Sequence, residues 1–154
     1  MSVDISAVKN LRDRTGVSVV ECKKALEESG GDLDKAIEAL KARGAAVAQK
    51  KSGRTLGAGA IGNYVHSDGN LGALVELACE TDFVAKNEDF RTLANDLAMQ
   101  VAAFSPEDNA ALLALPFIRE QGSTVDQVIK GYLQKFGERL ELIRFVRLVV
   151  GEDA

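Results

Sequence analysis

The sequence has little aromatic surface and no tryptophan. Only 5% of its 154 residues are aromatic, so few side chains could stack on nucleic-acid bases. Cysteine is also scarce, because Cys22 and Cys79 are the only two and lie far apart, without the CxxC spacing of zinc sites. This argues against a zinc site and a disulfide framework, and a reducing compartment is the simplest setting for the chain.

Motifs of nucleotide-binding and membrane proteins are missing as well. No G-x-x-x-x-G-K-[S/T] phosphate loop occurs, and the glycines of Gly53–Gly62 precede a predicted strand, whereas a dinucleotide fingerprint follows one. We therefore expect no direct nucleotide binding. The start of the chain has no apolar core behind a basic leader, and no apolar run approaches a membrane span, which predicts a soluble, cytoplasmic protein.

The titratable side chains offer no convincing catalytic set. The only histidine, His66, stands beside a predicted hairpin turn, where we expect a surface residue. Glu80 and Asp82 are two positions apart in a segment that leaves a strand, and Glu27 and Glu28 fall on an exposed helix face. Neither pair is typical of an acid–base dyad, so the sequence predicts no enzyme, no catalytic residue, no metal site and no cofactor.

Charge is divided unevenly along the chain. Residues 1–54 carry 11 basic and 8 acidic side chains, whereas the remainder carries 8 basic and 15 acidic ones. The stretch Lys41–Arg54 contains no acidic residue, so it could pair with an acidic protein face or with phosphates. A solvated helix end and linker explains the same stretch and is the interpretation that we favour.

Residues 1–43 are predicted to form a module of three short helices. Ser18 and Asp32 have the character of helix N-caps, and Gly44 is the predicted end of the third helix. Apolar residues recur at helical spacing and would pack the three helices on one small core. These residues are Ile5, Val8 and Leu11, then Val19, Cys22 and Leu26, then Leu33, Ile37 and Leu40.

The rest of the chain predicts a linker and an α+β core domain. Residues 44–59 read as a basic, glycine-rich linker, and residues 60–154 as the core. Strand-like runs flank an Asp-Gly hairpin signal, and a third follows the last helical pattern, which predicts a three-stranded antiparallel sheet covered by helices. The strands are predicted at Ala60–His66, Leu71–Cys79 and Leu140–Val150, and the helices at Asn87–Phe104 and Thr124–Phe136, with residues 107–123 left unassigned.

The segment Cys79–Asn87 joins a predicted central strand to the cap of a predicted helix, a natural place for a presented loop. Thr81 or Asp82 could cap a short helical turn. Phe83 and Val84 would then either enter the core or project toward a partner, and the residues alone favour the core.

Two segments resemble signature motifs of the elongation factor Ts family. The first comprises Thr15-Gly16, Glu21–Leu26 and Gly31-Asp32, and the second is Glu80–Asn87. They occur in the order and at the separation usual in that family. A Lys-Lys-Ser-Gly piece and a Gly-Asn-Leu-Gly hairpin join them, and the tail from Pro116-Phe117 through Gly137-Glu138 to Ile143-Arg144-Phe145 is similar to the family's carboxyl end. The chain has no room for all the insertions of longer members.

This resemblance implies an α+β protein that begins with a ubiquitin-associated-like bundle and that binds elongation factor Tu carrying GDP and promotes GDP release. It also implies that the first module docks on the GTPase and that short members form homodimers. The partner-binding residues that it implies are Arg12, Thr15, Gly16, Lys23, Lys24, Thr81, Asp82, Phe83, Val84, Ala85, Lys86 and Asn87.

The alternative is an RNA-binding or ubiquitin-associated-like protein-interaction module, suggested by the basic stretch and the three-helix start. Sparse aromatics and an acidic remainder count against RNA binding. This alternative also leaves the match at Thr81–Asn87 unexplained.

Overall fold

The computed structural model describes residues 2–152 and has an α+β fold, as the sequence predicts. Contacts divide the chain into two units. The first holds the chain up to Gly53 together with Ile129–Glu138, and the second holds Arg54–Val128 and the chain from Arg139 onward. The elements are α1 Ile5–Thr15, α2 Val19–Glu28, α3 Leu33–Lys51, β1 Ala58–Val65, β2 Leu71–Cys79, α4 Asp82–Ala85, α5 Glu88–Phe104, α6 Asn109–Ala114, α7 Val125–Phe136 and β3 Glu141–Val149.

The first unit is helical and begins with the three predicted helices. Their predicted caps are confirmed: Ser18 Oγ accepts a hydrogen bond from Glu21 N at 3.3 Å, and Asp32 Oδ1 accepts one from Lys35 N at 3.1 Å. Both bonds satisfy amides that the helix itself leaves unpaired. The buried residues of this core are Val8, Leu11, Val17, Cys22, Ala25, Leu26, Ala36 and Leu40.

Two residues expected in that core are exposed. Ile5 and Val19 are the first residues of α1 and α2, and the buried stripes begin one turn later, at Val8 and Cys22. Their apolar character was therefore a misleading signal for core placement. In α2 the stripe is completed by Ala25, which is not among the predicted core residues.

The helix end predicted at Gly44 is wrong, because α3 continues to Lys51. Residues 44–51 of the predicted 44–59 linker are therefore helical. Gly44 is buried, and a β-carbon there would lie 3.2 Å from Gln134 Oε1 and 3.7 Å from Lys130 O in the same unit. The glycine thus permits close packing inside a helix, which offsets its cost of about 1 kcal/mol relative to alanine.

The second unit contains a three-stranded antiparallel sheet in the order β1-β2-β3. The hairpin predicted between its first two strands is confirmed, with His66 N donating to Leu71 O at 2.8 Å. Ala73, Val75 and Leu77 of β2 are buried on the inner face, as their alternation predicts.

Helix α5 packs on the inner face of this sheet. Its apolar stripe of Phe90, Leu93, Leu97 and Val101 is buried, and Asn87 caps it by accepting from Asp89 N at 2.8 Å. The helix lies so close to β1 that a β-carbon on Gly62 would fall 2.0 Å from Ala94 O. Only glycine fits at this contact.

The segment that the sequence left unassigned is organised by one buried amide. Gln100 Nε2 donates to Pro116 O at 2.8 Å, and Gln100 Oε1 accepts from Ile118 N at 3.3 Å. Helix α6 precedes this contact, and a bridge pairs Pro116 with Thr124 just before α7. A buried glutamine with both amide atoms bonded fixes the segment on α5.

Candidate functional site

The Phe83 turn, defined here as residues 81–87, follows the end of β2. Its centre is the four-residue helix α4. Thr81 is the N-cap, since its Oγ1 accepts from Val84 N at 3.4 Å, which settles the choice between Thr81 and Asp82. Asn87 closes the turn as the N-cap of α5. The turn is therefore held by hydrogen bonds at both ends.

The side chains of the turn divide between core and surface. Val84 and Ala85 are buried, whereas Phe83 is 84% exposed. The core placement favoured for Phe83 from the residues alone is therefore wrong, and Val84 occupies the core instead. Thr81, Asp82 and Lys86 are exposed with Phe83. A large aromatic ring is thus presented to solvent by a backbone that its own neighbours anchor.

Glu80 links the foot of the Phe83 turn to two other segments. Its Oε2 accepts from Arg139 N at 2.6 Å, and its Oε1 lies 3.4 Å from Arg54 Nη1. Arg139 Nη1 also donates to Arg54 O at 2.7 Å. From the sequence Glu80 is only half of an acidic pair, because nothing in the local pattern relates it to residues 26 and 59 positions away.

The remaining predicted partner-binding residues belong to the first unit, whereas the Phe83 turn belongs to the second. Arg12, Lys23 and Lys24 are exposed on α1 and α2. Thr15 has a structural role, since its Oγ1 donates to Leu11 O at 2.7 Å. Gly16 ends α1 with a φ of 70°, and its N–H donates to Arg12 O at 2.7 Å.

Neither cysteine resembles a reactive or metal-binding thiol. Cys22 and Cys79 are buried, and no disulfide joins them. Burial raises the pKa of the Cys22 thiol, against opposing effects of the Thr15 hydrogen bond and the Arg12 charge. Within residues 2–152 no group of three or more histidine, cysteine or carboxylate side chains could hold a metal ion. Within the same range no helix combines the length and apolarity needed to cross a membrane.

The outer face of the sheet, opposite α5, carries a second exposed apolar surface. Strand register places Leu74 beside Val146, with Glu76 and Arg144 joined by a 2.8 Å ion pair next to them. The apolar members of this face are Ile61, Val65, Leu74, Val146 and Leu148, all exposed. This surface is not among the predicted sites, although apolar residues on both alternating faces of β1 and β3 are a signal of two covered faces.

Comparisons with known proteins agree with the two signature motifs. Residues 80–154 match the family model described as Elongation factor TS. The chain is 40% identical to the elongation factor Ts of Desulforamulus reducens, over 97% of this chain and 90% of the relative. It is 38% identical to that of Synechococcus sp. strain JA-2-3B'a(2-13), over 99% of this chain and 77% of the relative.

A third relative, the elongation factor Ts of Thermodesulfovibrio yellowstonii, is 38% identical over 99% of this chain and 98% of its own length. The alignments with the first and third relatives span 195 and 196 positions, more than the 154 residues of this chain. These relatives therefore contain segments that this chain lacks.

Proposed function

The chain belongs to the elongation factor Ts family, and we propose that it is a guanine-nucleotide exchange factor that binds elongation factor Tu carrying GDP and promotes GDP release during translation elongation. Such a protein needs no bond-making chemistry of its own. A partner that binds the nucleotide-free GTPase more tightly than the GDP form must weaken GDP binding by the same factor. The role is exercised in the cytoplasm, where elongation proceeds.

The observation that carries this proposal is the exposure of Phe83 on an anchored turn. A solvent-exposed phenylalanine gains about 2–3 kcal/mol when a partner buries it. Because Val84 and Ala85 are held in the core, little ordering of the turn is needed on binding. The ring therefore acts as a wedge in an apolar pocket of the GTPase, and the energy of its burial is available to distort the nucleotide site.

The other residues of the Phe83 turn support the wedge. Asp82 offers carboxylate oxygens to donors of the partner, and Lys86 lies at the rim of the contact. Thr81 and Asn87 act through their capping bonds, and Val84 and Ala85 through their anchoring in the core.

The helical unit is the proposed docking module. We assign residues 1–43 a ubiquitin-associated-like fold whose exposed Arg12, Lys23 and Lys24 contact the GTPase, with Thr15 and Gly16 shaping the turn between α1 and α2. Basic side chains at the rim of an interface raise the association rate more than the final affinity. The module therefore captures the partner, whereas the Phe83 turn acts on it.

A homodimer through the outer face of the sheet completes the proposal. An apolar sheet face stays exposed only at a cost, and stacking on the same face of a second copy buries it in a self-complementary interface. The Glu76–Arg144 pair satisfies the charges of this face within one copy, so the second copy need not supply partners.

The exchange function is tested by loading elongation factor Tu with a fluorescent GDP analogue and chasing it with excess GDP. The intact chain should accelerate release in proportion to its concentration and should coelute with elongation factor Tu in gel filtration. Coelution with RNA instead, with no acceleration of release, would favour the RNA-binding alternative and refute the exchange function.

A further inference from the structure

Glu80 joins three separate segments of the second unit at one carboxylate. It stands between the end of β2 and the cap residue Thr81, and it contacts Arg54 ahead of β1 and Arg139 ahead of β3. The side chain of Glu80 is only 17% exposed, so these contacts are less screened by water than those of an ordinary surface ion pair.

The direction of the Phe83 turn depends on the two residues that precede it. On one side Cys79 Sγ donates to Thr81 O at 3.3 Å, and on the other Glu80 is held by the backbone N–H of Arg139. Since Thr81 begins the turn, a change in the Glu80 backbone would tilt α4 about its buried residues Val84 and Ala85 and so change the direction of the exposed Phe83 ring. A displacement of about 1 Å at a functional group can reduce its effect on the order of a hundredfold.

We propose that Glu80 is a positioning residue for nucleotide exchange: it aims the Phe83 ring at the partner without contacting the partner itself. The inference rests on the proposed function of Phe83 and adds a residue to it. Arg54 and Arg139 serve the same end, because both hold the Glu80 carboxylate in place. The three residues form a brace between the sheet and the turn.

A double-mutant cycle tests this brace. Glu80→Ala, Phe83→Ala and the double variant are titrated with nucleotide-free elongation factor Tu, and the dissociation constants are compared. Residues that act through one another give non-additive effects, so Glu80→Ala should weaken binding about tenfold with Phe83 present and less than about twofold in Phe83→Ala. A residue with a purely structural role would weaken both by the same factor, and that result would overturn the proposal.

Asp96→Ala provides a matched control. Asp96 is also 17% exposed and pairs with Arg119 at 3.2 Å in the same unit, but it lies on α5 and not at the foot of the turn. It should lower the melting temperature about as much as Glu80→Ala while leaving affinity for elongation factor Tu within about twofold. An equal loss of affinity in Asp96→Ala would also contradict the brace.

Two further outcomes separate the possible failures. If Phe83→Ala binds as tightly as the parent, both the wedge role of Phe83 and the positioning role of Glu80 are wrong. If Phe83→Ala weakens binding but the effects of Glu80→Ala and Phe83→Ala are additive, the wedge role stands and only the positioning role is wrong. Should Glu80→Ala not fold, Glu80→Gln takes its place in the cycle, because its amide oxygen still accepts from Arg139 N while the charge facing Arg54 is lost. It should weaken binding about threefold with Phe83 present and negligibly in Phe83→Ala.

Discussion

The second unit exposes apolar surface in two contrasting ways. The Phe83 turn concentrates it in one aromatic ring at the centre of a hydrogen-bonded turn. The outer face of the sheet spreads it over aliphatic side chains of all three strands. The first arrangement suits insertion into a pocket of a partner that must later leave, and the second suits stacking against a similarly flat surface.

This difference predicts different energetics. A single inserted ring makes binding depend on one residue, as at the hot spots of protein interfaces. A broad aliphatic face divides the energy among many residues, so that each contributes a small and nearly additive share. Variants of the two surfaces should therefore differ in size of effect and in the property that they change.

The largest effect is expected from Phe83→Ala. Loss of about 2–3 kcal/mol of ring burial should slow stimulated GDP release about 30- to 150-fold. The melting temperature should remain nearly unchanged, because the ring is already in water in the free protein. Stopped-flow release of a fluorescent GDP analogue and a thermal melt measure the two quantities.

Phe104→Ala is the control for that experiment, since Phe104 is also exposed but ends α5, away from the turn. The Phe104→Ala protein should stimulate GDP release from elongation factor Tu as fast as the parent does. If the Phe83→Ala protein stimulated GDP release as fast as the parent, the wedge role of Phe83 would be refuted. A marked fall in the melting temperature of Phe83→Ala would mean that the ring packs inside the protein.

Leu148→Ala should have a smaller effect, and it should change dimerisation and not the rate of stimulated GDP release. Losing about 1–2 kcal/mol of side-chain burial at the proposed dimer interface should weaken the dimer about tenfold in sedimentation equilibrium. Ile5→Ala, an exposed apolar residue of the first unit, should leave the dimer constant unchanged. A chain that stays monomeric at all concentrations would refute the dimer, and Phe83→Ala should dimerise normally if the two surfaces are independent.

Replacing Lys23 and Lys24 together with alanine should weaken the complex with elongation factor Tu about three- to fivefold, mainly through slower association. The effect should shrink at high salt, because exposed charges are screened. Surface plasmon resonance at two ionic strengths measures both rates. The double variant of Lys9 and Lys35, also exposed on this unit, is the matched control; equal losses in the two proteins would argue against a specific contact.

Cys22→Ala should have the least effect on exchange, within about twofold of the parent, because Cys22 belongs to neither surface. It should still cost about 1 kcal/mol of stability, since the thiol is fully buried and donates to Val17 O at 3.5 Å. Chemical denaturation and the release assay measure the two properties. A well-folded Cys22→Ala protein without exchange activity would contradict the packing role of this thiol.

Local patterns predicted most of the helices and strands, because caps, stripes and turn residues act over a few positions. Ser18, Asp32 and Asn87 cap the helices that they were expected to cap, and the Asp68-Gly69 hairpin is confirmed. The helix end predicted at Gly44 is wrong because this glycine makes room for residues of a helix 86 to 90 positions away, Lys130 and Gln134. Propensity alone reads such a glycine as a stop.

The candidate site was less accessible to sequence reasoning. Phe83 and Val84 are adjacent apolar residues, and periodicity cannot decide which of them enters the core when the helix has only four residues. The family resemblance identified the motif at residues 80–87. The contacts of Glu80 with Arg54 and Arg139 could not be predicted from the sequence, because these residues come together only after the strands have paired. Long-range contacts of this kind leave no periodic trace.

Gly62 also sets a dimension of the molecule. With no side chain at this position, the backbone of α5 rests almost directly on β1 at Ala94. Since α5 begins at Glu88, directly after Asn87 closes the Phe83 turn, the spacing between this helix and the sheet also sets where the turn ends. Any side chain at position 62 would force α5 away from β1 and so displace that end of the Phe83 turn, although every residue of the turn itself would be unchanged.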